Sequence, residues 1–221
     1  THLLEVGISI ARNGARWTGL EEDEYDQGQH DGIFEALSVS TAGALIRRSV
    51  FEELGGFDEK LDLFRDDVDF GWRIHTAGQT VLVNTDAVVY HAQAAATERR
   101  AVDVDEAFLN RAHLLDRRNA AYVLLTNSTW WMLPLISIQL LGAALLRAIG
   151  YLFAKLPGYA SDELLALFRL IIRPDLVRAG RKWRKADRLV SPRIVTRFMP
   201  SRITQFLSLI HISEPTRRYA I

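Results

Sequence analysis

The chain has 221 residues, of which 48% are hydrophobic and 24% charged. This length allows one ordinary domain with additional elements, and the composition excludes a disordered tail, a coiled coil and a collagen-like protein. The chain has no cysteine, which excludes a disulfide scaffold, a thiolate zinc site and a cysteine nucleophile. The net charge is zero, but residues 1–110 carry 21 acidic and 9 basic residues, whereas residues 111–221 carry 6 and 18. This asymmetry predicts two regions with different surroundings.

The first half of the chain has the pattern of short strands separated by turns. We predict strands at residues 3–10, 37–46, 80–84 and 87–91. The small-residue run 37–46 predicts a buried strand with a close approach at Gly43. Residues 12–32 are acidic and unpatterned, which is typical of a surface loop.

Two helices are predicted between these strands. Ser49 and Glu52 have capping-box spacing for a short helix that Gly55 and Gly56 end. Residues 57–65 should be a loop, and Asp66 or Asp67 should cap a second helix that runs to about residue 77. Strands mixed with short helices indicate an α/β domain that finishes near residue 95.

The second half has helical composition. A linker and helix are predicted over residues 96–128, an apolar helix over 129–155 and a basic helical region over 156–206. The 28 residues from 119 to 146 include no charged residue, and about 20 apolar residues are enough to cross a bilayer. Pro134, Gln139 and Arg147 weaken a membrane-spanning assignment. The helix is therefore predicted to span or to lie on a membrane, with a buried helix of a soluble core as the alternative.

Nine basic residues and only two acidic ones, Asp175 and Asp187, lie between residues 169 and 193. A basic segment after an apolar helix favours the cytoplasmic face of a membrane, where anionic lipids attract it. The same segment is also compatible with nucleic acid or with a solvated helix face. No nucleic-acid-binding motif accompanies it, so no nucleic-acid partner is predicted.

The acidic segment at residues 66–69 is the strongest candidate for chemistry. Asp67 falls in the first turn of the predicted helix, where the backbone N–H groups favour an ionised carboxylate, as a general base requires. Asp69 is expected to pair with Arg73 four residues later. Trp72 offers a flat apolar face to a ligand, with burial in the core as the alternative. Simple helix capping and a calcium loop are the other interpretations of the carboxylates, but the spacing of an EF-hand loop is absent.

His91 is a second candidate because it ends an apolar strand. Strand ends are common positions for binding sites. A metal ligand and an ordinary polar strand terminus are both compatible with this position.

Three motifs occur in order at close spacing. They are STAGALIRR at 40–48, FEELGGFDE at 51–59 and DDVDFGWR at 66–73. Together they resemble the second half of a family-2 inverting glycosyltransferase domain of the Rossmann-like GT-A fold, most of all large membrane-associated actinobacterial members. The resemblance covers about residues 1–120 and implies a nucleotide-diphospho-sugar donor and a glycan or lipid-linked acceptor hydroxyl.

The resemblance also implies roles for individual residues. Asp67 matches the general base of the family's acidic pair, and Asp66 stands where the family usually has Glu. His91 is similar to the histidine that completes a divalent-metal site (Mn²⁺ or Mg²⁺) in galactofuranosyltransferases. Thr41, Ala42 and Gly43 are expected to line the sugar site, with Asp66 and Trp72 as further substrate-binding residues.

The family's donor-binding strands and its Asp-x-Asp metal motif precede the region of resemblance, and residues 1–60 contain no such motif. The chain is therefore expected to be an acceptor-side fragment that is inactive alone. Residues 207–221 are similar to translated sequencing-adapter read-through and are expected to be a non-native tail.

The sequence thus predicts the C-terminal half of a GT-A α/β domain followed by a membrane-associated helical region. The expected function is inverting sugar transfer in cell-envelope glycan or glycolipid synthesis at the cytoplasmic face. Two alternatives are a non-catalytic membrane-anchored module and a soluble metal-dependent hydrolase.

Overall fold

The computed structural model describes residues 2–21, 23–61, 63–90 and 112–201. His91, the part of the predicted linker and helix up to residue 111, and the predicted tail at 207–221 lie outside the described residues.

The α/β part is built on two short antiparallel strand pairs. Strand β1 (Ser9–Ile10) pairs with β2 (Arg16–Trp17), and β3 (Ile33–Glu35) pairs with β4 (Leu82–Asn84). An isolated β-bridge joins Ile8, just before β1, to Ser38, which follows β3. Strands β1 and β4 are shorter than the predicted strands 3–10 and 80–84. The sequence did not predict the other two strands: β2 falls inside the predicted loop 12–32, and β3 lies just before the predicted strand 37–46.

The predicted strand over 37–46 is wrong beyond its single bridge. Residues Thr41–Gly43 form a 3₁₀ helix instead, and the hydroxyl of Ser40 accepts a hydrogen bond from the N–H of Ala42. A serine that binds its own neighbouring backbone competes with strand pairing in this way. Residues 87–90 do not form a strand either.

Two helices follow in the α/β part. Helix α1 (Arg48–Glu53) begins one residue before the predicted cap, and Glu52 pairs with Arg48 rather than closing a capping box. Gly55 and Gly56 end it with positive φ angles, as predicted. Helix α2 (Asp66–Thr76) has nearly the predicted bounds, but the predicted cap is wrong: Arg65 occupies the N-cap position, and no side chain makes a capping hydrogen bond.

The second half of the chain is helical. Helix α3 (Ala112–Asn127) precedes a 3₁₀ turn at Trp130–Met132, and α4 (Leu133–Phe153), α5 (Pro157–Ile171), α6 (Pro174–Ala186) and a 3₁₀ helix at Pro192–Phe198 follow. Proline occupies the first turn of α4, α5 and α6, where its missing N–H leaves no hydrogen bond unmade. Pro134 therefore starts the apolar helix and does not interrupt it.

The α/β part and the helical part share one hydrophobic core. Trp72 and Val68 of α2 pack in it with residues from β1, α3, α4 and α5. The other fully enclosed members include Ile8, Ile10, Leu37, Tyr122, Val123, Leu124, Ile136, Leu140, Leu170 and Val195. The helices after residue 112 thus supply much of the core on which α2 rests.

Candidate active site

Two left-handed residues place the start of α2. Phe64 and Arg65 have φ angles of 64° and 69°, a conformation that non-glycine residues rarely adopt. Helix α3 holds this turn from the side. Asp116 accepts two hydrogen bonds from the buried Arg65 guanidinium, at 2.7 and 3.0 Å, and the Asn119 amide donates to the carbonyls at positions 63 and 64. The backbone that presents Asp66 and Asp67 is therefore fixed by α3.

The carboxylate of Asp67 lies in a chain of charged groups. Its Oδ2 atom is 3.3 Å from Nη1 of Arg16, and Nη2 of Arg16 is 2.7 Å from Oε2 of Glu5. The other oxygen of Glu5 accepts a hydrogen bond of 2.9 Å from the N–H of Ser40. The chain of contacts connects the N-terminus of α2 to the 3₁₀ helix at Thr41–Gly43.

Burial sets the protonation of the neighbouring groups. It raises the pKa of Glu5, although Arg16 opposes the change. It also raises the pKa of Asp66, with the adjacent Asp67 carboxylate acting in the same direction. For Arg16, burial would lower the pKa, but the carboxylates of Asp67 and Glu5 outweigh it and raise the pKa. The site thus holds one guanidinium between two carboxylates.

Helix α2 approaches the segment 37–40 so closely that only glycine fits at its centre. A Cβ atom on Gly71 would overlap the carbonyl oxygen of Leu37 and lie 2.7 Å from Cβ of Ser38. At the same contact, the Ser38 hydroxyl donates to the carbonyl of Asp67 at 2.6 Å. The helix that carries the acidic pair is thereby held against the segment that leads to Thr41.

The predicted substrate-binding residues have different surroundings. Thr41, Ala42 and Gly43 are exposed, and a Cβ atom on Gly43 would lie 3.3 Å from the side chain of Val89. Trp72 is 2% exposed and packs in the core. The expectation that Trp72 offers a face to a substrate is corrected, because its indole ring is enclosed by apolar side chains.

Sequence reasoning missed Glu5 and Arg16. Glu5 lies in the predicted apolar strand 3–10 and Arg16 in the predicted loop 12–32, and no local pattern marks either residue. Their contacts join positions that are far apart in sequence, so they become visible only in the folded chain.

The third carboxylate of the acidic segment is structural. Asp69 is fully buried and pairs with Arg73 at 2.9 Å, as predicted, and also with Arg184 of α6 at 2.7 Å. Arg184 pairs in turn with Asp58 at 2.6 Å, and the hydroxyl of Tyr122 donates to the same Asp58 carboxylate. Burial would lower the pKa of Arg184, but these carboxylates raise it. The network joins α2 and the Gly-Gly-Phe-Asp motif to the basic helix.

No group of three or more His, Asp or Glu side chains among the described residues 2–21, 23–61, 63–90 and 112–201 has an arrangement that could hold a metal ion. Asp66 and Asp67 supply adjacent carboxylates, and His91 lies outside these ranges. The described residues alone do not compose the divalent-metal site that the resemblance implies.

Comparison with known proteins finds related sequences. Residues 12–106 match the family described as glycosyltransferase like family 2. N-acetylglucosaminyl-diphospho-decaprenol L-rhamnosyltransferase of Mycobacterium tuberculosis (strains CDC 1551 / Oshkosh and ATCC 25618 / H37Rv) is 37% identical over 99 residues, which are 44% of this chain and 29% of that protein. O-antigen biosynthesis protein RfbC of Myxococcus xanthus is 39% identical over 71 residues, which are 32% of this chain and 5% of that protein. No solved structure matches the chain.

The aligned part of the chain spans less than a third of the length of each relative. The family match includes the candidate site from Arg16 to Asp67 but stops before α3. A domain of this family implies an α/β fold of the GT-A type. The comparisons therefore support a family-2-like glycosyltransferase domain in residues 12–106 of this chain.

Proposed function

We propose that the chain carries the acceptor-side part of an inverting glycosyltransferase and that Asp67 is its general base. The observation that carries the proposal is the position of Asp67. Its carboxylate is 8% exposed and stands at the start of α2, 3.3 Å from Arg16, inside the region that matches the glycosyltransferase family. An ionised carboxylate at such a position can accept a proton within a confined site.

The proposed reaction moves one proton and one sugar. The acceptor hydroxyl gives its proton to the Asp67 carboxylate while its oxygen bonds to the anomeric carbon of the donor sugar. The bond from that carbon to the diphosphate breaks on the opposite face, and the electron pair leaves with the nucleoside diphosphate. Arg16 holds the Asp67 carboxylate in place. Glu5 pairs with the same guanidinium and accepts a hydrogen bond from the backbone N–H of Ser40.

The relatives indicate the class of substrate. The name of the mycobacterial relative specifies transfer of L-rhamnose to N-acetylglucosaminyl-diphospho-decaprenol, and that of the second relative specifies O-antigen biosynthesis. We extend this class to the present chain as a nucleotide-sugar donor and a lipid-linked glycan acceptor in cell-envelope synthesis. The exposed residues Thr41, Ala42 and Gly43 and the half-buried Asp66 are proposed to line the sugar site.

A lipid-linked acceptor favours a membrane-associated protein with its catalytic part at the cytoplasmic face. When bound, a divalent metal would neutralise the leaving diphosphate. His91 is proposed as one ligand. No step is assigned to the metal, because the described residues do not complete its site.

Asp67→Asn tests the proposal. In the longest natural form of the protein that carries this chain, the variant should lose about 10²-fold to 10⁴-fold in turnover, because a general base contributes rate in this range. The assay follows transfer of radiolabelled L-rhamnose from its nucleoside diphosphate to N-acetylglucosaminyl-diphospho-decaprenol, and nuclear magnetic resonance of the product reports inversion.

The matched control is Glu53→Gln, which neutralises an exposed carboxylate in α1 and should keep full turnover. Circular dichroism checks that both variants are folded. Wild-type turnover in Asp67→Asn would exclude Asp67 as the base. A wild-type protein that binds membranes but transfers no sugar from any nucleotide donor would instead favour the non-catalytic module.

A further inference from the structure

Helices α4 and α5 form an antiparallel hairpin with two different faces. Arg147 of α4 pairs with Glu163 of α5 at 2.9 Å, and Tyr151 stacks beside Tyr159 at a ring separation of 5.5 Å. The contacting positions increase along α4 as they decrease along α5, so the two helices are antiparallel. The buried residues of α4 recur every three or four positions, as on one face of a helix. They are Ile136, Leu140, Ala143, Ala144, Ala148 and Tyr151.

The inner face of α4 packs on protein along most of its length. Its Leu140 lies beside Gly14, where an added Cβ would be 3.6 Å from Cδ2 of the leucine. The guanidinium of Arg147 donates to the carbonyl of Asn13 at 3.4 Å. The loop between β1 and β2 therefore lies against the middle of α4, and the helix does not project away from the α/β part.

The outer face of the hairpin is apolar and exposed. Helix α4 contributes Leu135, Ile138, Leu141, Leu145, Leu146, Ile149, Leu152 and Phe153, and α5 with the residue after it contributes Leu164, Leu165, Phe168, Ile171 and Ile172. Monomeric soluble proteins rarely expose an apolar surface of this extent, and such surfaces mark sites of membrane or protein contact. We call this set of residues the apolar face.

Cationic groups stand at both ends of α4, and two exposed tryptophans precede its first residue. Trp130 and Trp131 are exposed before its first residue, and the Arg193 guanidinium lies 4.1 Å from the Trp131 ring. Lys155 is exposed just after its last residue. Tryptophan and cationic residues are typical of the headgroup level of a bilayer, and cationic groups attract anionic lipids.

We propose that the apolar face rests on the surface of an anionic lipid bilayer and that α4 lies along the membrane without crossing it. A helix of 21 residues is long enough to span the hydrocarbon, at about 1.5 Å per residue. Its inner face excludes that orientation. Crossing would place the Arg147–Glu163 pair and the loop at Asn13 and Gly14 in the hydrocarbon together with α4.

This inference deepens the membrane association that is part of the proposed function, but it rests on the packing of α4 and α5 and does not depend on sugar transfer. Failure of membrane binding would leave the Asp67 experiment unaffected. Conversely, an Asp67→Asn variant with full turnover would leave the membrane surface intact.

Vesicle binding tests the occupant of the apolar face. The purified 221-residue chain is mixed with phosphatidylcholine vesicles that contain or lack phosphatidylglycerol, and the bound fraction is measured by flotation. The wild type should bind the anionic vesicles more tightly, and added salt should weaken that difference. The double variant Ile138→Asp/Ile149→Asp should reduce the partition coefficient by about 10-fold or more, because the apolar contact contributes much of the binding.

The matched control is Leu45→Asp/Leu82→Asp, which places two charges at exposed leucines of the α/β part and should bind within about two-fold of the wild type. Circular dichroism checks that both variants are folded. Equal binding by the two double variants would overturn the proposal. A concentration-dependent dimer that buries the apolar face and does not bind vesicles would also overturn it, in favour of a second copy as the occupant.

Depth measurement distinguishes lying from crossing. The chain has no cysteine, which allows single fluorescent labels at exposed positions of α4. The test uses Ile138→Cys, Leu145→Cys and Leu152→Cys, which lie seven residues apart on the apolar face. Lipid-borne quenchers at graded depths should place these three labels at a similar shallow depth. A label at position 145 near the bilayer centre, with the other two near opposite surfaces, would show a spanning helix and exclude the proposed orientation.

Discussion

The position of the acidic pair depends on two residues with unfavourable backbone angles. Left-handed conformations of non-glycine residues cost on the order of 1–3 kcal/mol each, so Phe64 and Arg65 need partners that hold them. Those partners, Asp116 and Asn119, lie on α3. Because Arg65 is 2% exposed, its charge also needs the Asp116 carboxylate as a counter-ion.

Asp116→Ala should therefore destabilise the protein by about 3–5 kcal/mol, because it leaves the Arg65 guanidinium buried without a counter-charge. Urea unfolding monitored by circular dichroism measures the change in the free energy of unfolding. Asp86→Ala, which removes an exposed carboxylate, should change it by less than about 0.5 kcal/mol. Similar effects of the two substitutions would show that the pairing contributes little.

Substitution of two helical glycines by alanine should change stability in opposite directions. Gly71→Ala should destabilise by at least about 2 kcal/mol, since the new methyl group would collide with the backbone of Leu37. Gly142→Ala in α4 meets no atom within 4 Å and should stabilise by about 0.5–1 kcal/mol through helix propensity. Thermal unfolding measures both changes. A stabilised Gly71→Ala would contradict the close approach of α2 to the segment 37–40.

Among the elements, the basic helix α6 has an unexpected position. Its Arg184 is 3% exposed and reaches Asp58 and Asp69, more than one hundred residues earlier in the chain. The neighbouring Arg181 and Arg188 donate to backbone carbonyls at the end of α3 and just after it. Part of the cationic charge that the sequence places near a membrane is thus used inside the protein.

Arg184→Met should cost about 3–5 kcal/mol of stability, because removing one partner leaves buried carboxylates without compensation. Lys185→Met, at the adjacent exposed position, is the matched control and should change the free energy of unfolding by less than about 0.5 kcal/mol. Chemical denaturation with both variants makes the comparison. Equal midpoints would show that α6 does not stabilise α2.

The sequence predicted those features of the fold that depend on residues close together in the chain. The bounds of α2, the end of α1 at Gly55 and Gly56, and the Asp69–Arg73 pair follow from helix spacing and glycine conformation. The strand over 37–46 failed because Ser40 binds the N–H of Ala42 and starts a 3₁₀ turn. A propensity for extended structure does not predict such a competing hydrogen bond.

Contacts between distant residues could not be predicted. The pairing of Arg16 with Asp67 and of Arg184 with Asp69 joins separate elements, and each partner has an ordinary local context. The sequence therefore indicated the acidic pair but not the groups that position it. It likewise indicated an apolar helix at α4, whereas its one-sided burial became evident only from the packing of α5 and the loop at Asn13.

The buried ion cluster between α3, α4 and α5 should make the stability of the whole protein depend on pH. Glu163 is 1% exposed and faces Arg117 and His113 of α3 and Arg147 of α4, with Asp162 beside it on α5. Burial alone would raise the pKa of Glu163. The nearby His113 ring and the two guanidinium groups outweigh this effect and lower the pKa to about 2.

A carboxylate whose pKa is lowered by folding stabilises the protein above its unfolded pKa, near 4.5, and this contribution is lost as the pH falls toward 2. Between pH 6 and pH 3 the wild type should lose about 2 kcal/mol of stability through Glu163 alone. Glu163→Gln removes the titrating group. It should be less stable than the wild type at pH 6 by about 3 kcal/mol, since two guanidinium groups lose their partner.

The two free energies of unfolding should therefore converge as the pH falls from 6 to 3, when urea denaturation is measured at each pH. Glu53→Gln, at an exposed position, should follow the wild type throughout. A constant difference between Glu163→Gln and the wild type would mean that Glu163 does not change its protonation over this range on unfolding. Arg147 of α4 is one of the two guanidinium groups that pair with Glu163, so convergence is the result expected when the inner face of α4 packs on α5 in solution, as the membrane-surface orientation requires.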